Sequence, residues 1–334
     1  MRLASLLLVL ACQPPRAPEG GLAGGTDATY SLPGWRDRDY ILYLPTDYDA
    51  STPIPLVFGV HGGGGKKEGF NQTTCREGDE SADNCFLAVA DREGFAVVMP
   101  DGVDARGLKG RSWNAGGGED GWRCTGGEAC ATDSDDVGYF DDLLAEVERA
   151  VVVDEDRVYA TGISNGAAMS HRLACERSEV FAAIAPVSGA NQAQGWPGCT
   201  PARPVPVLHI HGTEDPCWGY DGTIEQDLCK DKDDDGVFMD VETSMQGWRD
   251  RNGCTSTTET ALADETDDGT TAFQVDGVGC AADTALIRIE GGGHTWPDGW
   301  QYLKEKTIGR VSTDISGSDA IWSFLAAHPR ADAR

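Results

Sequence analysis

The sequence predicts an α/β fold, a mainly parallel central sheet with helices on both faces. Two observations predict it. β-prone runs at residues 37–44, 55–60, 94–99, 157–162, 181–187, 205–211 and 284–290 are interleaved with stretches of helical period, clearest at 137–151, 165–176, 240–252 and 318–327. Such alternation gives parallel strands covered on both sides. Size agrees with this: of 334 residues, 40% are hydrophobic, which suits one α/β domain of some 300 residues after an N-terminal tail of about 35.

Residues 1–11 hold one positive charge, Arg2, and an apolar run from Leu3 to Ala11 that is too short to span a bilayer. They read as an export signal. Val9-Leu10-Ala11-Cys12 also resembles a bacterial lipobox, in which Cys12 becomes the lipidated first residue. Residues 12–35, rich in Pro, Gly and Ala, read as a flexible tether from a membrane to the domain at 36–330, or as the tail of a freely secreted protein. The cysteines fit export: setting Cys12 aside leaves ten of the eleven, an even number suited to disulfides. Sequence neighbours suggest Cys75 with Cys85, Cys124 with Cys130, Cys175 with Cys199, Cys217 with Cys229 and Cys254 with Cys280, although spacing alone leaves the connectivity open.

The strand ends carry the chemistry. Pro55–Val60 reads as a buried strand running into His61-Gly62-Gly63-Gly64-Gly65, a loop whose bare backbone can approach a ligand. Tyr159–Gly162 is a strand that breaks at Gly162-Ile163-Ser164-Asn165-Gly166 and continues as a helix, the pattern of a nucleophile elbow that lifts a serine hydroxyl clear of its strand. The strand at 205–211 ends at Glu214-Asp215, and that at 284–290 leads through three glycines to His294. Alternation along the strand favours Asp215 over its rival Glu214. The order Ser164, Asp215, His294 is the one α/β-hydrolase topology imposes. In that reading His294 takes the Ser164 proton, Asp215 holds the imidazole, and the amides of Gly63 and Asn165 form an oxyanion hole. Farther along, Val241, Met245 and Trp248 recur at helical spacing, as a core stripe.

Taken with Arg111–Gly116, Asp135–Gly138, His211–Asp215 and His294–Pro297, these segments resemble the esterase family of bacterial feruloyl esterases and polyhydroxybutyrate-depolymerase-like enzymes, over residues 36–328. The resemblance implies an α/β-hydrolase fold acting on carboxylic esters, with Ser164, Asp215 and His294 as the triad. It also implies that Trp113 and Trp296 lie near the substrate cleft.

One segment departs from that family pattern. Residues 231–242 fit an EF-hand-like acidic loop, with Asp231, Asp233, Asp235, the Val237 carbonyl and Glu242 placed as calcium ligands. Calcium there would be structural, since the chemistry asks for no cofactor. A formal charge of −28 disfavours nucleic acid and anionic membrane faces, leaving a lipid anchor as the route to a membrane. The sequence thus reads as a secreted or outer-surface, outer-membrane-anchored serine carboxylesterase whose partner is an ester substrate, feruloylated or acetylated plant polysaccharide. A polyhydroxyalkanoate depolymerase is the alternative, and a non-catalytic hydrolase-fold lipoprotein that binds glycan or calcium is a third reading.

Overall fold

The structure, a computed structural model, describes residues 14–104, 110–117, 127–195, 198–229 and 237–330. The strands are β1 (Asp27–Ser31), β2 (Asp39–Tyr43), β3 (Ile54–Val60), β4 (Ala96–Pro100), β5 (Val103–Asp104), β6 (Arg111–Ser112), β7 (Val153–Ile163), β8 (Ala183–Val187), β9 (Val207–Gly212), β10 (Ser256–Ala261), β11 (Thr271–Val278) and β12 (Thr284–Glu290). Helices are α1 (Lys67–Thr74), α2 (Phe86–Glu93), α3 (Glu128–Ala131), α4 (Asp136–Ala150), α5 (Asn165–Glu176), α6 (Val241–Arg251), α7 (Glu305–Ile308) and α8 (Gly317–Ala326).

Ten strands form one sheet in the order β1-β2-β4-β3-β7-β8-β9-β12-β11-β10, and β5 pairs with β6 apart from it. From β4 to β12 every pairing is parallel, while the outer pairs on both sides are antiparallel. All seven expected strands and four expected helices are present. β3 and β8 are buried at every position, as strands covered on both faces must be. Alternate residues of β3 feed opposite cores. Leu56, Phe58 and Val60 join α4, α5 and α6 on one face, with the Val241, Met245 and Trp248 stripe, and Val57 joins α1, α2 and α8 on the other.

The expected tether is corrected in part. Within residues 12–35, β1 pairs antiparallel with β2, Ala17 and Leu32 are buried, and Arg16 reaches Glu146 at 2.5 Å. Tyr30 and Leu32 supply apolar surface that a solvated linker would expose, so the segment packs as an edge of the sheet. Four of the expected disulfides are formed: Cys75–Cys85, Cys175–Cys199, Cys217–Cys229 and Cys254–Cys280. Cys130 is disulfide-bonded, and Cys124 lies outside the described residues.

Asn252, fully buried at the end of α6, ties that helix to the sheet. Its Oδ1 accepts from Val205 N at 3.2 Å, and its Nδ2 donates to Val205 O and to Thr284 Oγ1, both at 2.8 Å. Asn252→Ala strands buried partners on β12 and on the approach to β9, so it should cost roughly 2–4 kcal/mol in urea unfolding. A loss under about 0.5 kcal/mol, the scale of a surface substitution, would show that the tie contributes nothing.

Candidate active site

Parallel strands bring their C-terminal ends to one edge, and the expected site residues follow β3, β7, β9 and β12 there. The ends are level, since Val60 pairs with Gly162, Ile163 with Val187, and Gly212 with Ile289. At the elbow Ser164 has φ 59° and ψ −124°, a conformation that costs about 1–3 kcal/mol for a non-glycine residue. Two glycines permit the turn. A Cβ on Gly162 would lie 2.6 Å from Val60 O, and one on Gly166 would lie 2.2 Å from the same oxygen. Neither position accepts a side chain while the elbow rests on β3.

The glycine loop presses on the elbow from the other side. A Cβ on Gly62 would meet Ser164 Cβ at 3.3 Å, and one on Gly63 would meet Asn165 Cβ at 3.5 Å, so the two expected oxyanion donors are neighbours. Gly64 N donates to Arg111 O and Gly65 N to Gly62 O. Among the described residues nothing accepts from the Gly63 N–H, which leaves it for a ligand. His61, buried at the loop's start, donates from Nδ1 to Gly62 O (2.8 Å), and its Nε2 accepts from Gly102 N (3.0 Å). Burial pushes its pKa down to about 4, so the ring is neutral and acts as a brace.

Trp113 and Trp296 are corrected: both are fully buried and do not line a cleft. Each indole N–H has an interior partner, which makes burial of the ring favourable. Trp113 Nε1 donates to His61 O at 2.9 Å, and its backbone N and O are both held by the Asn165 amide, at 2.7 and 3.0 Å. Trp296 donates to Ser318 Oγ at 3.3 Å and packs edge-on to Phe70 and Phe86.

The acid–base pair is direct. Asp215 Oδ2 accepts from His294 Nδ1 at 2.7 Å, with both side chains buried. Asp215 Oδ1 accepts from the amides of Cys217 (2.8 Å) and Trp218 (2.7 Å). Glu214, the rival acid, is exposed. His294 is fixed by its own backbone: its N donates to Ile308 O and its carbonyl accepts from Tyr302 Oη. Gly293 Cα sits where a Cβ would lie 2.2 Å from Ile308 O, so only glycine fits beside the histidine. The β7 and β12 loops converge at β8, since Ser164 N donates to Val187 O at 2.9 Å and Ser188 Oγ to Thr295 O at 3.4 Å. Sequence reading missed Tyr302, Trp218 and the bracing role of His61.

Of the expected calcium ligands, Asp231, Asp233 and Asp235 lie outside the described residues, as do Cys12 and residues 1–11. Val237 is exposed. Glu242 Oε1 accepts from Tyr220 Oη at 2.5 Å, and Oε2 lies 3.7 Å from Arg249. Glu242 is thus tied to Tyr220 by one oxygen and faces Arg249 with the other.

Burial raises the Asp215 pKa, but the His294 charge and the hydrogen bonds from His211 and His294 outweigh it and hold the carboxyl at about 2. With a folded pKa below the ordinary value of about 4, the unfolded chain takes up the proton first. Stability from ionised Asp215 is therefore whole above pH ~4 and is lost as the pH falls toward about 2. Urea midpoints across that window should fall less steeply for Asp215→Asn than for the wild type. Parallel curves would exclude Asp215 as the responsible group.

Comparison with known proteins finds esterases. The family model described as "Esterase PHB depolymerase" matches residues 38–197. Feruloyl esterase B of Piromyces equi is 28% identical over 81% of the chain, and the chain spans about half (46%) of that protein's length. A probable feruloyl esterase C of Aspergillus terreus is 30% identical over 63% of the chain and 71% of its own length. In fold, the chain is similar to a CE1 ferulic acid esterase from Anaeromyces mucronatus, with a TM-score of 0.53, 13% identity and 94% coverage of each chain. With the parallel sheet and the buried acid–histidine pair, these matches place the chain in the Esterase PHB depolymerase family of carboxylic-ester hydrolases, alongside the feruloyl esterases.

Proposed function

We propose that the chain hydrolyses feruloyl or acetyl esters of plant polysaccharide through an acyl-enzyme on Ser164. The observation that carries the reading is the buried Asp215–His294 hydrogen bond on the same sheet edge as the strained Ser164. In the first half-reaction Ser164 Oγ attacks the ester carbonyl carbon while its proton passes to His294 Nε2. The carbonyl oxygen becomes an oxyanion, held by the amides of Gly63 and Asn165. Collapse breaks the bond to the alcohol, which leaves with the His294 proton. Water then repeats the sequence and releases the acid. Asp215 stays ionised throughout, keeping the Nδ1–H tautomer of His294 and stabilising its charged form. The plant-ester assignment draws on the names of the feruloyl esterase relatives.

A second reading, hydrolysis of polyhydroxybutyrate-type polyester, is favoured by the matching family description. Export is part of the proposal, because disulfides persist in oxidising compartments and residues 1–11 with Cys12 read as a lipoprotein signal.

Purified protein should cleave methyl ferulate and acetylated xylan and leave polyhydroxybutyrate films intact; clearing of the films without ferulate release would favour the second reading. Ser164→Ala should lower kcat/KM on p-nitrophenyl acetate by roughly 10⁴-fold or more. A loss within about tenfold, or a wild type without activity on any of these esters, would overturn the mechanism.

A further inference from the structure

Three histidines that the proposed reaction does not use lie buried in one row behind Asp215: His171 on α5, then His209 and His211 on β9. Period-two alternation puts His209 and His211 on one face of the strand, the face that α5 and α6 cover. Trp248 Nε1 of α6 donates to His171 Nδ1 at 2.9 Å. His171 Nε2 lies 3.2 Å from His209 Nδ1, and His209 Nε2 lies 3.0 Å from His211 Nδ1. The row ends where His211 Nε2 meets Trp218 O at 2.7 Å and Asp215 Oδ2 at 3.4 Å.

Both ends set the same direction. An indole N–H can only donate, so His171 Nδ1 must accept and its proton sits on Nε2. A carbonyl can only accept, so the His211 proton also sits on Nε2, and His209 between them takes the same tautomer. A second proton on His171 or His209 would set one N–H against another. Three clustered histidines often hold a metal by converging on a point. Here the ring nitrogens face each other pairwise along a line, which leaves no shared coordination centre.

We infer that Trp248, His171, His209 and His211 form one oriented hydrogen-bond chain whose terminal N–H positions the Asp215 carboxylate, making His211 a positioning residue of the reaction. This rests on the Asp215–His294 reading above. His211 acts on Asp215 by two routes. One is direct, and the other runs through Trp218, whose carbonyl it binds and whose amide holds Asp215 Oδ1. The charged and titratable groups facing the chain are Arg251, beneath the Trp248 ring, and Tyr220, edge-on to His211. Glu242 stands behind Tyr220, Arg288 pairs in register with His211 on β12, and the Asp215–His294 pair closes the end.

Losing an N–H donor makes Asp215 more basic, and a more basic carboxylate holds the His294 imidazolium more tightly. His211→Leu should therefore move the acid limb of kcat/KM to higher pH and lower its plateau roughly tenfold to a hundredfold, the value of a hydrogen bond to a charged group. His211→Gln, which keeps a donor, should restore most of both. An acid limb at the wild-type position in folded His211→Leu overturns the proposal. Histidine ¹⁵N spectra of the wild type supply a readout independent of turnover and of variant folding. They should show Nδ1 unprotonated and Nε2 protonated in all three rings, with mixed tautomers at His171 in Trp248→Phe. A proton on His211 Nδ1 would also overturn it. Activity surviving in Ser164→Ala would instead defeat the triad reading, whatever the tautomers.

Discussion

The close approach of two backbones, the β7–α5 elbow against the end of β3, is the constraint on which the rest depends. Val60 O lies where side chains on Gly162 and Gly166 would be, so the contact exists only because those positions are bare. It forces the turn at Ser164, aims α5 across the sheet, and places Asn165 beneath the glycine loop. From Asn165 the constraint passes outward. Its amide grips the Trp113 backbone, Trp113 grips His61, and His61 holds Gly62. The glycine loop is thus positioned from below by hydrogen bonds to buried groups, which cannot be exchanged cheaply for water.

A second chain of constraint carries charge. Asp101, buried next to the β5–β6 pair, receives Lys67 through both backbone N and Nζ at 2.9 Å, with Arg111 at 3.5 Å. Asp136 receives Arg38 at 2.5 Å and the Asn114 amide at 2.6 Å. Arg38 lies 3.6 Å over the Tyr139 ring. These pairs bracket the strap from Arg111 to Asn114, which crosses the glycine loop. A buried ion pair adds little net stability, yet removal of one partner is severe because a lone charge is left behind. The strap is accordingly held by these charged pairs together with the buried Trp113 ring.

The fold and the strand-end placement of the candidate residues were legible because both are written in local pattern. Seven strands and four helices came from apolar runs and period, and Ser164, Asp215 and His294 came from glycine-flanked strand ends. Alternation picked Asp215 over Glu214, and Glu214 is the exposed one. What escaped lacks such pattern. β10 is exposed at every position, so its Ser-Thr-Thr-Glu-Thr run holds its place by ladder pairing to β11 and by the ion pair of Glu259 with Arg288, not by an apolar face. In α1 the buried residues include the polar Lys67, Asn71 and Thr74, which break its apolar period because each meets a polar partner inside: Asp101 for Lys67, the Leu87 amide for Asn71 and the Phe86 amide for Thr74. The two tryptophans were misread for a related reason. Nothing local tells whether an indole N–H will find a carbonyl inside, as Trp113 does, or turn to a ligand.

The histidine row belongs to this last class, and its chemistry explains why the interior tolerates it. Each neutral imidazole carries one donor and one acceptor, so a line of them satisfies every nitrogen provided that all point the same way. Burial pushes the pKa of His171 down to about 3 and that of His209 well below the usual value, which keeps those two rings neutral. An apolar residue at 209 would orphan two nitrogens at once, His171 Nε2 and His211 Nδ1, each at the cost of an unmade buried hydrogen bond. Such a row is all-or-none, whereas an apolar core at the same place would leave the Trp218 carbonyl and Asp215 Oδ2 without the His211 N–H. Polar order behind the acid therefore adds one more fixed donor to those that already orient Asp215, and through Asp215 it steadies His294.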